Sequence, residues 1–253
     1  MQKVVVITGC SSGIGAALAQ ELARRGHLVY ATARQAAALA ALTAPNLHPL
    51  ELDVNDDLSI VQALSRVQQE QGHIDILVNN AGFSQVGAVI DLTRDDLRRQ
   101  YETNVVAPVA LARAALPLLQ AAVARHGQAV LVNVGSIVGL LTTPFAGAYC
   151  SSKAAIHSLS DALRMELAPF GIQVVTVQPG GVRSRFGDHA EAALRLPPGS
   201  LYLPVERGVR ARAQAGQRNA QAAEEFVLPV VDAILAARPP PVVRGGTGRF
   251  KLP

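Results

Sequence analysis

The chain has 253 residues, of which 49% are hydrophobic, so it can bury a full core as one domain, and we predict a single domain over residues 1–253. The net charge is +4 at pH 7, and the excess is local, because residues 183–218 hold seven arginines and only three acidic residues. Aromatic residues make up 4% of the chain and tryptophan is absent, so the basic charge lacks stacking partners and no nucleic-acid partner is expected.

Other features of the composition bear on location and metal binding. No stretch of about 18 apolar residues is free of charges, glycines and prolines, so we expect no membrane span. The first residues run directly into a strand-like segment, so we expect no signal peptide. Cys10 and Cys150 lack metal-ligand spacing, which indicates reduced thiols in a cytoplasmic protein. The six histidines are scattered without ligand spacing, so no metal site is predicted.

The first predicted unit is a strand, a glycine-rich turn, a helix and a second strand. The β-branched run over residues 3–8 is short enough to be a strand buried on both faces. It leads into Gly9, Gly13 and Gly15, whose Gly-x3-Gly-x-Gly spacing meets the common dinucleotide fingerprint only approximately. Glycines allow a tight turn and a close approach of phosphate to the N–H groups at a helix N-terminus. In this strand–helix context we predict phosphate binding.

The rest of the chain alternates between strand and helix patterns. Further strands are predicted near residues 47–52, 74–78, 129–134, 172–177 and 242–243. Helices are predicted from an N-cap at Asn55, in the stretch before residue 95, over 95–125, from 149 to near 171, and over 224–236. The helix over 95–125 contains Asn104 and two prolines, which predict irregularity. This order indicates an α/β fold with a doubly wound sheet, which binds ligands beyond the C-terminal ends of its strands.

Residues 183–222 differ from the rest, because they are rich in arginine, alanine and proline and show no clean periodicity. We predict that this segment is a mobile lid over a substrate site. Its arginines could recognise a carboxylate or phosphate, although we expect most of them to face solvent.

One pair of residues carries most of the chemical information. Tyr149 and Lys153 are four residues apart on a predicted helix and therefore share a face. An ammonium beside a phenol favours the phenolate, so Lys153 is expected to lower the pKa of Tyr149 towards neutrality, where it can exchange protons. The chain has four tyrosines and three lysines, and random placement would give only roughly 0.05 pairs at this spacing. The pair therefore indicates a catalytic function.

With these pieces in order, the sequence resembles the short-chain dehydrogenase/reductase family over nearly its whole length. The matching motifs are the turn over residues 8–15, Asn79-Asn80-Ala81-Gly82, Asn104, Ser136, Tyr149-x3-Lys153, and Pro179-Gly180. The resemblance implies a single-domain Rossmann-type fold with about seven parallel strands and helices on both faces. The chain departs from the family pattern at two positions: Gly135 replaces a second serine, and Ser184 replaces the threonine after the Pro-Gly turn.

The resemblance also implies the roles of the catalytic set. Tyr149 would donate the proton in reduction and accept it in oxidation, and Lys153 would also hydrogen-bond the nicotinamide ribose. Ser136 follows a strand end and would hydrogen-bond the substrate oxygen as charge develops. Asn104 would hold a water molecule in a proton relay to Lys153.

The predicted cofactor is NADP(H). An NAD enzyme of this fold carries a carboxylate about 20 residues beyond the glycine turn, but no acidic residue lies between Glu21 and Glu51. Arg34 follows the second strand and could meet the 2′-phosphate together with Ser12. By resemblance, Asp53 would meet the adenine. The predicted cofactor-binding residues are Gly9, Ser11, Ser12, Gly13, Ile14, Gly15, Arg34, Asp53, Val54, Asn80, Ala81, Gly82, Tyr149, Lys153, Pro179, Gly180, Val182 and Ser184.

The substrate is predicted to be a medium-sized, lipophilic ketone, aldehyde or alcohol, because apolar side chains follow Ser136 and the Pro-Gly turn. The predicted substrate-contacting residues are Ser136, Val138, Phe145, Tyr149 and Phe186. The cofactor motifs over residues 9–13 and 29–34 are similar to those of the 17β-hydroxysteroid and retinol dehydrogenase-like subgroup. The alternatives are a non-catalytic dinucleotide sensor, an NAD-preferring dehydrogenase, and an epimerase or dehydratase on the same fold. The resemblance further implies a homodimer or homotetramer, formed by the helices over 95–125 and 149–170.

Overall fold

The computed structural model describes residues 1–248, so the last five residues of the predicted domain lie outside the described part. Seven strands form one parallel sheet in the order β3-β2-β1-β4-β5-β6-β7. The strands are β1 (Val4–Ile7), β2 (Leu28–Ala33), β3 (Leu47–Glu51), β4 (Ile76–Asn79), β5 (Ala129–Val134), β6 (Ile172–Pro179) and β7 (Val242–Gly245). The α-helices are α1 (Gly13–Arg24), α2 (Asp57–Gln71), α3 (Arg94–Tyr101), α4 (Ala107–His126), α5 (Gly147–Leu167), α6 (Phe186–Ala193), α7 (Glu206–Ala213) and α8 (Ala223–Leu235). The predicted Rossmann-type fold is confirmed.

Both faces of the sheet are covered, because successive side chains of each strand point to opposite sides. On β1, Val5 and Ile7 join the core beneath α1 and α8, to which Leu22 and Phe226 also belong. Val4 and Val6 join the opposite core with the buried sides of α2 and α4. This arrangement explains the continuous apolar runs in the strands, which the sequence showed as buried segments.

Two helix boundaries differ from the prediction. The helix after β3 is capped by Asp56, whose carboxylate accepts a 3.0 Å hydrogen bond from the Leu58 N–H. Asn55 was wrong as the cap, because its amide instead donates to the Thr103 hydroxyl at 2.9 Å. The helix expected before residue 95 is only a short 3-10 helix, Val89–Asp91. This segment is too short and irregular to carry a helical apolar pattern.

The single helix predicted over 95–125 consists of three helical parts that follow one another without a gap. A π-helical turn, Glu102–Val106, lies between α3 and α4 and contains Asn104. Pro108 lacks the N–H that would bond the Asn104 carbonyl four residues earlier, and the helix widens at this point. The predicted irregularity is therefore confirmed.

One continuous helical stretch, Arg94–His126, is long and apolar enough by composition to cross a membrane. Half of its most apolar window is buried inside the protein, where α4 packs against the sheet through residues that include Leu111 and Leu119. Core helices of folded domains pass the same test of length and hydropathy, so this stretch is weak support for a membrane span.

The segment over residues 183–222, here called the lid segment, is more regular than its sequence indicated. It contains α6 and α7, with short 3-10 helices at Leu203–Val205 and Ala215–Gln217. A small apolar cluster attaches the lid segment to the rest of the chain. Its members are Val86, Ala190, Leu194 and Val209, with Phe145, Leu196, Tyr202 and Ala213 packed against them.

A buried carboxylate joins several elements at the N-terminal ends of the strands. Asp75 accepts a 2.7 Å hydrogen bond from the Val4 N–H and a 2.6 Å hydrogen bond from His126 Nδ1, and it pairs with Lys3 at 3.3 Å. His73 Nε2 lies 3.4 Å from the same carboxylate. The ligand atoms of His73, Asp75 and His126 lie within 4.8 Å of one another, so the histidines that look scattered in the sequence are not all scattered in space.

Candidate active site

The glycine-rich turn lies at the C-terminal end of β1, and its shape depends on glycine. Gly9 and Gly13 have φ angles of +71° and +60°, which L-residues with a side chain rarely adopt. A Cβ on Gly15 would lie 2.4 Å from both the Asn80 amide nitrogen and the Gly9 carbonyl oxygen. Ser12 is the extended N-cap of α1, and its side chain makes no capping hydrogen bond. The N-terminus of α1 thus carries no side-chain cap, and helix N-termini of this kind favour anions such as phosphate.

The second predicted motif, Asn80-Ala81-Gly82, is attached directly to this turn. The Thr8 hydroxyl accepts hydrogen bonds from the Asn80 and Ala81 N–H groups at 2.9 and 3.0 Å. The Asn80 amide donates to the Thr8 and Gly9 carbonyls at 2.7 and 3.1 Å. These bonds fix the ends of β1 and β4 side by side, at the point where a dinucleotide crosses sheets of this type.

The residues predicted to meet the adenosine half lie at the ends of β2 and β3. The Cys10 N–H donates to the Thr32 carbonyl at 2.8 Å, which joins the glycine turn to the end of β2, and Arg34 follows two residues later. Arg34 is exposed and pairs with no acidic side chain among residues 1–248. Asp53 follows β3, and its carboxylate accepts from the Asn55 N–H at 3.0 Å. Arg34 and Asp53 thus follow the C-terminal ends of neighbouring strands, and their contacts with a cofactor stay a prediction.

Further predicted cofactor residues lie at the end of β6 and after it. Gly180 and Gly181 form backbone bonds to Gly245 and Thr247, so the chain after Pro179 is held against the end of β7. Ser184 then approaches the glycine turn, since a Cβ on Gly13 would lie 2.8 Å from its Cβ. Ser11 and Ile14 belong to the glycine turn, where Ser11 is exposed and Ile14 packs on the core. Val182 follows β6 and is buried, and Val54 follows β3 and packs on the opposite core.

Tyr149 and Lys153 lie near the start of α5, and the Lys153 Nζ is 5.8 Å from the tyrosine ring centroid. Lys153 is buried and donates a 2.7 Å hydrogen bond to the Val134 carbonyl at the end of β5. Burial lowers the pKa of Lys153 to about 8. Burial also raises the pKa of Tyr149 to about 12, while the nearby Ser136 hydroxyl acts in the opposite direction. The expectation that Lys153 lowers the pKa of Tyr149 is therefore wrong, because desolvation dominates and the Lys153 ammonium is bonded to the Val134 carbonyl.

Asn104 projects from the π-helical turn into the same region. Its amide donates to the Phe83 carbonyl at 3.0 Å and to the Ser152 hydroxyl at 3.1 Å, and its Oδ1 accepts from the Phe83 N–H at 3.2 Å. A Cβ on Gly82 would lie 3.1 Å from Asn104 Oδ1 and 3.7 Å from Lys153 Nζ. Both groups thus border the space next to Gly82, and only glycine leaves that space open. The relay role of Asn104 stays a prediction.

Ser136 is held by a residue that the sequence analysis did not select. Its backbone N–H donates to His157 Nε2 at 3.3 Å, and its hydroxyl lies 3.4 Å from the Pro179 carbonyl. The His157 imidazole occupies the space beside Gly135 and Gly139, where added Cβ atoms would lie 2.1 and 2.5 Å from the ring. Burial and the charge of Lys153 lower the pKa of His157 to about 4. The glycine at position 135, in place of the usual serine, was the available signal, since it leaves room for this ring.

The predicted substrate residues are only partly brought together. The Phe186 ring, at the start of α6, lies 5.5 Å from the Tyr149 ring. Val138 is half-buried, and its N–H faces the Ser136 hydroxyl at 3.3 Å. Phe145 instead stacks edge-on against Tyr202 at 5.3 Å and belongs to the apolar cluster of the lid segment. Phe186 and Val138 therefore border the catalytic set, whereas Phe145 supports the lid segment.

Several known proteins are similar to this chain in sequence. A 3-ketodihydrosphingosine reductase from Bacteroides thetaiotaomicron is 36% identical over 187 residues, which cover 74% of this chain and 66% of that protein. An NADPH-dependent 1-acyldihydroxyacetone phosphate reductase from Schizosaccharomyces pombe is 37% identical over 213 residues, 81% of this chain and 70% of that protein.

Several solved structures are similar to this chain in fold. A short-chain dehydrogenase from Streptomyces avermitilis has a TM-score of 0.83 and 30% identity, and the match covers 100% of this chain and 91% of that chain. A short chain dehydrogenase from Burkholderia cenocepacia in complex with NADP has a TM-score of 0.72 and 27% identity, covering 98% and 90% of the two chains. A short chain dehydrogenase/reductase from Burkholderia phymatum in complex with NAD shares the fold, with a TM-score of 0.81 and 24% identity, covering 95% and 88%.

The family model for short chain dehydrogenases matches residues 3–194, about three quarters of the chain. Members of this family are oxidoreductases that bind a nicotinamide dinucleotide. The chain belongs to the short-chain dehydrogenase/reductase family.

Proposed function

We propose that this protein is an NADP(H)-dependent oxidoreductase that interconverts a carbonyl and an alcohol on a medium-sized lipophilic substrate. The observation that carries this proposal is the convergence of Tyr149, Ser136 and Lys153 at the C-terminal ends of the strands, beside the glycine turn. This is the edge at which ligands of open α/β sheets bind. A bound nicotinamide would supply the hydride in reduction and take it up in oxidation.

The side chains have distinct roles in this proposal. Tyr149 gives its phenolic proton to the carbonyl oxygen in reduction and takes it back in oxidation. Ser136 hydrogen-bonds the same oxygen and opposes the effect of burial on the pKa of Tyr149. Lys153 requires a partner that keeps it charged in a buried position, and a bound nicotinamide ribose would supply hydroxyl acceptors close to its ammonium. Asn104 borders the space from which a water molecule could return protons to Lys153.

The choice of NADP(H) over NAD(H) rests on Arg34. Its exposed guanidinium has no acidic partner among residues 1–248, and no acidic residue lies between Glu21 and Glu51 to repel a 2′-phosphate. The NADPH-dependent relative from Schizosaccharomyces pombe supports this choice. A lipophilic substrate is supported by the Phe186 ring beside Tyr149 and by the apolar residue Val138, whose backbone contacts Ser136.

Location and assembly belong to the same proposal. Cys10 and Cys150 are both buried and free, which supports a reducing, cytoplasmic compartment. A homodimer or homotetramer is supported by apolar side chains that α5 leaves exposed, among them Leu159 and Met165.

The test is the substitution Tyr149→Phe, assayed as NADPH consumption against a panel of ketones and aldehydes. The ring remains and only the proton is removed, so we expect an unchanged Kd for NADPH and the loss of most activity. Activity within a few-fold of the parent would contradict the assignment of Tyr149. If the parent binds NADPH but reduces no member of the panel, the dinucleotide-sensor alternative gains support.

A further inference from the structure

One arginine of the lid segment differs from the other six. Arg183, Arg185, Arg195, Arg207 and Arg218 are exposed, whereas Arg210 and Arg212 are half-buried on α7. Arg210 pairs with Glu206 on its own helix through hydrogen bonds of 2.8 and 2.6 Å. Arg212 is two positions further along and therefore on another side of the helix.

Arg212 lies on the inner side of α7. It is three residues from Val209, which is fully buried in the apolar cluster, and adjacent to Ala213, which packs on that cluster. Its guanidinium donates a hydrogen bond to the Thr143 hydroxyl. Thr143 belongs to the loop between Ser136 and Tyr149, so Arg212 connects the lid segment to the catalytic loop.

In the part of the chain that the structure describes, no carboxylate forms an ion pair with this guanidinium. The lid segment has three acidic residues, and each has another partner: Gln214 donates to Asp188 at 3.0 Å and to Glu191 at 2.8 Å, and Glu206 pairs with Arg210. Within residues 1–248, no acidic side chain lies within 4.0 Å of Arg212. A half-buried guanidinium has five N–H donors, and its hydrogen bond to Thr143 uses only one nitrogen.

The charge of Arg212 also reaches the catalytic set. Its positive charge lowers the pKa of Tyr149, opposing the larger effect of burial. The Phe186 ring covers another side of the same tyrosine at 5.5 Å. Tyr149 therefore lies next to an apolar ring and within the electrostatic influence of a guanidinium that pairs with no acidic side chain of residues 1–248.

We propose that Arg212 binds an anionic group of the substrate, a carboxylate or a phosphate, while the substrate carbonyl meets Tyr149. The inference rests on the proposed function and narrows its substrate class to amphiphilic carbonyl compounds with an apolar body and one anionic end. Thr143 holds the guanidinium towards the site, and the fork of N–H donors matches the oxygens of either anion. Binding of the anion also brings the lid segment and the catalytic loop together.

The experiment compares matched substrates in matched variants. Oxo acids of increasing chain length are assayed beside their methyl esters, and oxoalkyl phosphates beside the corresponding alcohols, so that the two arms distinguish carboxylate from phosphate. The variants are Arg212→Gln, which keeps a donor for Thr143, and Arg207→Gln, an exposed control on the same helix. We expect the parent and Arg207→Gln to prefer the anionic member in kcat/KM, and Arg212→Gln to lose this preference by roughly 10- to 150-fold. Neutral substrates should be affected only a few-fold.

The outcomes separate this inference from the proposed function. Turnover of neutral and anionic carbonyls at equal kcat/KM, or an equal loss in both variants, would overturn the role of Arg212 and leave the proposed oxidoreductase standing. If no carbonyl is reduced, calorimetry with decanoate and decyl phosphate in the presence of NADP⁺ decides the inference. Binding weakened in Arg212→Gln alone would support it, and equal binding by all three proteins would overturn it.

Discussion

The contact between Gly135 and His157 predicts a strong coupling between two positions. A Cβ at Gly135 would lie 2.1 Å from Nε2 and 2.6 Å from Cδ2 of His157, whereas ordinary contacts begin near 3.4 Å. The ring is enclosed at 8% exposure and must shift by more than an ångström. Overpacking of this kind costs about 1–3 kcal/mol. For a chain of this size, each kcal/mol lowers the Tm of Gly135→Ala by about 2–4 °C.

The double variant Gly135→Ala/His157→Ala tests the cause of this cost. His157→Ala is itself destabilising, because it leaves a cavity and removes the acceptor of the Ser136 N–H. In that background the added methyl group meets no ring and only the Val177 carbonyl oxygen remains close, at 3.3 Å, so the cost of Gly135→Ala should fall to about 0.5 kcal/mol. Chemical denaturation of the four proteins gives the coupling free energy directly.

Gly139→Ala is the control for this cycle. Its Cβ would meet both His157, at 2.5 Å, and the backbone carbon of Lys153, at 2.9 Å. Removing the ring can relieve only part of that clash, so the rescue at position 139 should be smaller than at position 135. An equal cost of Gly135→Ala with and without His157 would refute the reasoning.

Three further predictions concern the cofactor, pH and assembly. Arg34→Ala should weaken NADPH binding roughly 10- to 150-fold and leave NADH binding nearly unchanged, as measured by fluorescence titration. Equal weakening of NADPH and NADH binding would exclude a contact of Arg34 with the 2′-phosphate. The pKa of His157 falls from 6.5 to about 4 on folding, so between these pH values the unfolded chain binds more protons than the folded chain. The free energy of unfolding should therefore decrease as the pH falls from 6.5 to about 4. Denaturation across this range should show a weaker pH dependence for His157→Gln, and identical profiles would contradict the buried neutral imidazole. Light scattering at micromolar concentration should give a dimer or tetramer, because Leu159 and Met165 are exposed on α5, and a monomer would contradict the assembly.

The fold followed from the sequence because its signals are local. Apolar β-branched runs, glycines after strands and alternating helices predict a parallel sheet, and all seven strands lie within a few residues of their predicted positions. The break at Asn104 was indicated by the prolines, but its π-helical form was not, since sequence periodicity does not distinguish a widened turn from a kink.

The parts of the site that the sequence missed depend on contacts between distant residues. His157 looks like an ordinary helical histidine until the chain folds it against Gly135 and Gly139. The spacing of Tyr149 and Lys153 identifies the pair, but the predicted direction of the Tyr149 pKa shift is wrong. The burial of Tyr149 and the bond of Lys153 to the Val134 carbonyl arise only in the folded state. Arg212 could not be separated from the other lid arginines by composition, since only the folded chain shows which guanidinium turns inwards.

The buried carboxylate of Asp75 joins several elements at the N-terminal ends of the strands, opposite the candidate active site. It ties the first residue of β1, the start of β4 and the last residue of α4 through one side chain that is 1% exposed. All the candidate catalytic groups lie at the other end of the same strands. Substitutions in the lid segment or the catalytic loops therefore do not touch the hydrogen bonds of Asp75. A fold built in this way can change its substrate at one end of the sheet while the contacts at the other end stay the same.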